Sequence, residues 1–111
     1  VNKFNLNINN VCAGVLTETG ALMVLFIDGS SLTLANMGVD FLLKASPNFT
    51  MFTEKVVINT KHILYVKNNF ENMKKTKIKI TVVLPKQEFY RAFPTDPAGE
   101  TQAKKLWDSL I

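Results

Sequence analysis

The longest uninterrupted apolar run in this chain, Ala-Leu-Met-Val-Leu-Phe-Ile at residues 21–27, is seven residues long and lies between Thr19-Gly20 and Asp28-Gly29. Short apolar runs closed by turn residues are the pattern of strands joined by tight connections. A membrane-spanning helix needs ~18–20 consecutive apolar residues, so none is expected. Residues 11–18, 21–27 and 30–35 read as a three-stranded meander. Asp28-Gly29 between two apolar runs predicts a type I′ hairpin, in which both central residues take positive φ. Leu32 and Leu34 alternate with Ser31 and Thr33, the period of a strand with one wet face. Phe4, Leu6 and Ile8 alternate with Asn5, Asn7 and Asn9 and predict a short opening strand.

The second half follows the same pattern. Residues 39–45 satisfy a short helix and a strand equally well, and Ser46-Pro47-Asn48 is a turn. Residues 52–58 and 63–67 read as strands, residues 68–76 as a polar loop. Residues 77–84 place Ile78, Ile80 and Val82 on one strand face and Lys77, Lys79 and Thr81 on the other. Pro85-Lys86 turns the chain into a last strand at 87–93. Asp96 is a good N-cap and Pro97 suits the first helical position. Ala103, Leu106, Trp107 and Leu110 then form one apolar stripe of a helix over about 97–110.

The 111 residues, 47% hydrophobic and 20% charged, specify one globular domain able to bury a core without metal or disulfide. The expected fold is α+β and mainly β: an antiparallel barrel or curled sheet of about six or seven strands, with one C-terminal amphipathic helix. Ile8-Asn9 and Ile58-Asn59 each introduce a similar run of strands, so residues 1–46 and 52–111 read as a degenerate repeat within that domain.

Charge is unevenly placed. Residues 54–91 carry nine of the thirteen basic side chains against Glu54, Glu71 and Glu88, a local balance of +6 in a chain whose net charge is +4. A concentrated positive field attracts nucleic acid, acidic protein surfaces or anionic lipid. Lys75, Lys77 and Lys79 are spaced by two, so an extended chain projects all three from one face, with Lys67 and Lys74 adding to the field. Phe70 is an aromatic residue in a loop of Asn, Glu and Lys, where it could stack on a base. Lys67, Phe70, Lys74, Lys75, Lys77 and Lys79 are therefore the candidate anion- or nucleic-acid-binding residues. Lysine behaves as a mobile point charge where arginine is a rigid fork. Twelve lysines to one arginine thus favour contact with the phosphate backbone over base reading. The same bias, with eleven asparagines, suggests an AT-rich coding sequence of the kind frequent in bacteriophages and low-GC bacteria.

Motifs for catalysis are thin. Cys12 and His62 are each unique, too few for a structural metal site and, without an orienting partner, a weak basis for nucleophilic catalysis. The five glycines form no phosphate-binding loop, and the carboxylates are scattered. No enzyme, metal or cofactor is expected. The first five residues lack a signal peptide's apolar centre and Cys12 has no intrachain partner, so the expected location is cytoplasmic, with host cytoplasm or a virion as the phage-origin variant.

A strand run closed by an amphipathic helix bearing Trp107 resembles the closing part of pleckstrin-homology-like domains, over about residues 77–111. That resemblance implies a scaffold for phosphoinositide or peptide binding, although the basic loop lies in the other half of the chain from the usual lipid-binding hairpin. The leading expectation is a non-enzymatic module whose basic surface contacts a polyanion, most plausibly nucleic-acid backbone without sequence specificity. The alternatives are a structural or assembly protein, such as a phage particle component or homo-oligomer subunit, and pleckstrin-homology-like lipid or peptide binding.

Overall fold

The structure, a computed structural model, describes residues 6–72 and 77–110. Among them eight strands form two antiparallel sheets, with no closed barrel. β1 (Val11–Leu16), β2 (Leu22–Phe26), β3 (Ser31–Leu34), β4 (Phe49–Thr53) and β5 (Val56–Asn59) make a five-stranded sheet in the order β3-β2-β1-β5-β4. β6 (Tyr65–Asn68), β7 (Ile78–Leu84) and β8 (Gln87–Phe93) make a second sheet in that order. Helix α1 (Asp40–Ala45) follows β3, and α2 (Pro97–Leu110) follows β8. The sheet-plus-helix class is as expected. The expected barrel or curled sheet of about six or seven strands is instead eight strands in two sheets, because β1 takes β2 on one side and β5 on the other, and the chain then leaves to build a separate ladder.

Three local expectations are corrected by side-chain chemistry, and one open alternative is decided. In the opening strand, Phe4 and Asn5 lie outside the described residues, and Ile8–Asn10 is a 3-10 turn. There the Asn7 side chain accepts from the Asn9 amide (3.2 Å), an alternative to ladder pairing that Asn readily offers. Residues 52–58 are not one strand but the hairpin β4–β5 around Glu54-Lys55, where Thr53 Oγ1 accepts from the Lys55 amide (3.1 Å). Residues 39–45, left open between helix and strand, contain α1. The Asp28-Gly29 connection is not type I′: Gly29 takes φ 90° and Asp28 does not join it at positive φ. Gly29 N donates to Phe26 O (3.0 Å) and Phe26 N to Ser30 O (2.9 Å), a turn followed by a left-handed glycine. Asp28 instead accepts from the Ser30 amide (2.9 Å) and hydroxyl (2.6 Å), bonds that hold its carboxyl below the usual range.

The central strands of the five-stranded sheet are buried on both faces, while edge strand β3 leaves Ser31 and Thr33 exposed. One face carries Val11, Leu22, Val24 and Val57 under Leu42 of α1. The other carries Ala13, Phe52 and Ile58, which share a core with Ile80 and Val82 of β7 and Ala103 and Leu106 of α2. β1, at the centre, is consequently apolar along its length, as a strand covered on both sides must be.

Asn59 connects these parts. Its buried Nδ2 donates to Val11 O (2.9 Å), while Oδ1 accepts from the Lys61 amide (3.0 Å) and caps the 3-10 turn Thr60–His62. His62 adds a ring-nitrogen hydrogen bond to the Asn9 carbonyl. At the other end, Asp96 Oδ1 accepts from Gly99 N (2.7 Å) to start α2, and a Cβ on Gly99 would fall on the Pro94 carbonyl.

Asn59→Ala should cost about 2–3 kcal/mol, since it strands a buried carbonyl and removes a cap; the urea midpoint should fall at unchanged m-value. Gly99→Ala should also destabilise, by roughly 1–3 kcal/mol from the overpacking against Pro94. Helix propensity alone predicts the opposite sign, so thermal melts of this variant separate the two effects.

Candidate nucleic-acid interface

Alternation along β7 gives its two faces different environments. Ile78, Ile80, Val82 and Leu84 face the core shared with α2. Lys79, Thr81 and Val83 face away from it. The register extends this outer face across the sheet: Tyr65 is opposite Val83, Lys67 is opposite Thr81, and Thr81 is in turn opposite Tyr90. No described helix packs on that side; α2 covers the inner one. The outer face is therefore an open platform carrying Tyr65, Lys67, Lys79 and Tyr90, with exposed Glu88 opposite Val83 on the same face.

The two tyrosines are unusually exposed for their size, at 55% for Tyr65 and 63% for Tyr90. From strand and residue spacing they stand roughly 12 Å apart, so they are two separate stacking surfaces. The Lys79 ammonium sits 4.4 Å from the centroid of the Tyr90 ring, a cation–π contact that holds charge and aromatic face together. Lys67, Asn68, Asn69, Lys79 and Thr81 line a shallow depression of about 180 Å³ beside it. Asn69 shapes its rim: Nδ2 donates to Lys77 O (2.7 Å) and Oδ1 accepts from Lys79 N (2.8 Å), continuing the β6–β7 ladder through a side chain.

The sequence candidates divide on this geometry. Lys67 and Lys79 meet on the open face, and exposed Lys77 adjoins the ladder end beside Asn69. Lys74 and Lys75 lie outside the described residues. Phe70, on the 3-10 turn Phe70–Asn72, packs on the inner side instead, its ring 5.9 Å from Trp107 in an edge-on contact. That contact gives a packing reason for an aromatic residue in a polar loop. Trp107 is itself half-buried against the core.

Sequence reasoning missed Tyr65 and Tyr90. Alternation along β8 turns Phe89 to the core and Tyr90 away from it. The missing signal was register: only the pairing Lys67–Thr81–Tyr90 shows that the basic and aromatic residues share a face. Cys12 is buried in β1, and burial pushes its thiol upward, which keeps it protonated and unreactive at neutral pH. Among the described residues no helix is long and apolar enough to cross a membrane.

Comparison with protein-family models, curated proteins and solved structures finds no match.

Phe70→Ala should destabilise by about 1–3 kcal/mol, below the figure for a fully buried Phe because the ring is only part-covered. Trp107 is the sole tryptophan, so its emission should move to the red in the native state of this variant.

Proposed function

We propose that this protein is a non-enzymatic binding module that takes single-stranded nucleic acid on the open face of its three-stranded sheet, without sequence specificity. The observation that supports this is the pair of exposed tyrosines interleaved with Lys67 and Lys79 on one uncovered sheet face. Bases stack on aromatic rings whatever their identity, and lysines neutralise phosphates as point charges. A duplex hides its base faces, so the exposed rings favour a single strand. The local positive charge adds long-range attraction to the same region.

A second reading has its own observation. Leu64 is 62% exposed beside Tyr65, and an apolar pair at the end of an edge strand suits a contact between subunits or in an assembly. Native mass measurement separates the two: a monomer that binds oligonucleotide supports the first, and a stable oligomer that hides Leu64 supports the second.

Fluorescence anisotropy with a labelled oligothymidylate should show binding that weakens steeply between about 50 and 200 mM salt, as counterion release requires. Tyr65→Ala and Tyr90→Ala should each cost about 1–3 kcal/mol of affinity. Lys67→Glu with Lys79→Glu should weaken binding and flatten the salt dependence. Equal affinity of the wild type and all these variants, or a preference for duplex, would refute the proposal.

A further inference from the structure

The chain has one arginine, Arg91, and strand alternation places it on the side of β8 opposite Tyr90. Arg91 Nη1 donates to the Phe52 carbonyl (3.0 Å) across the seam between the two sheets, and the guanidinium carbon lies 4.7 Å from the centroid of the Phe93 ring. Held from two directions, the half-buried guanidinium has little rotamer freedom left to lose on binding. It has five N–H donors, and the bond to Phe52 is its one hydrogen bond among the described residues. The one ion pair among those residues joins Lys104 to Glu100 on α2, so no described carboxylate is in ion-pair contact with Arg91.

Arg91 lines a cleft of about 320 Å³ between β8 and α2, with Phe93, Gln102, Lys105, Leu106 and Ser109 completing it. Two cationic side chains and no carboxylate border this space. The neighbouring groove that Arg91 also lines carries Glu54 as well as Lys55, which leaves it less positive than this cleft. We propose that the β8–α2 cleft binds a dianionic phosphate group, with the Arg91 fork donating to its oxygens and Lys105 supplying the second positive charge. A phosphate monoester carries about −1.5 to −2 charges at neutral pH, which matches two cations better than a carboxylate does. The group could belong to a small phosphate ester or to the terminal phosphate of a nucleic-acid strand. This cleft lies on the opposite side of β8 from the tyrosine platform, so either site can fail without the other.

The unique Arg91 gives one side-chain Nε–H signal, which a nitrogen-15 NMR titration reads directly. Phenyl phosphate should move it saturably, with affinity that falls as pH drops through the ester's second pKa of about 6. Because Arg91 also ties the sheets together, the deciding variant is exposed Lys105→Gln, which should bind roughly tenfold more weakly. An oligothymidylate with a 5′-phosphate that moves the signal, where its unphosphorylated form does not, would identify a strand end as the source. A response to phenyl phosphate alone would identify a small ester. A shift reproduced by sodium chloride at matched ionic strength, or undiminished affinity in Lys105→Gln, would overturn the proposal.

Discussion

A single buried amide, that of Asn59, fixes where the first sheet ends and where the second begins. Its donor satisfies the carbonyl of Val11, the first residue of the central strand, and its acceptor caps the turn that carries the chain out of the sheet. Asn59 is 2% exposed, so neither group has water as an alternative partner, and a side chain lacking either function leaves a buried polar group unmade. The register of β5 against β1 and the departure toward β6 are thus set by the same residue. The 3-10 turn at Ile8–Asn10 repeats the device: Asn7 caps it as Asn59 caps Thr60–His62, and His62 bonds to Asn9 between the two turns.

From that junction the division of labour between the sheets follows. The central strands of the five-stranded sheet are covered on both faces, by α1 and by the shared core, which leaves them apolar and without a surface for a ligand. The three-stranded sheet has α2 on one side only. Its other side keeps the period-two mixture of Lys, Thr, Tyr and Glu that water tolerates, and it carries the surface proposed to bind nucleic acid. Arg91 stands where the two sheets meet, structural through Phe52 and Phe93 and chemically available toward α2.

How far the sequence reached can be traced residue by residue. The meander, the Pro85-Lys86 turn, the last two strands and the helix from Pro97 were legible because alternation, turn chemistry and capping are local signals. The β4–β5 hairpin was not, since Glu54-Lys55 is a polar interruption too short to distinguish from the wet face of one strand. The turn at Gly29 was misassigned because Asp28 has a competing use for its carboxylate in Ser30. For the site, the excess of lysine around β7 was visible, whereas the fate of Phe70 was not. An aromatic residue in a polar loop reads as exposed until a helix nearly forty residues later supplies Trp107 to pack on it.

The sequence by itself determined the mainly-β class, the closing helix and the local basic charge, because each depends on residues within a few positions of one another. Only the tertiary structure decided that the strands divide into two sheets, that Tyr65 and Tyr90 join Lys67 and Lys79 on one open face, and that Arg91 turns away from them into a cleft with Lys105. These depend on register and on which face each helix covers, and both are set by contacts between residues distant in the chain.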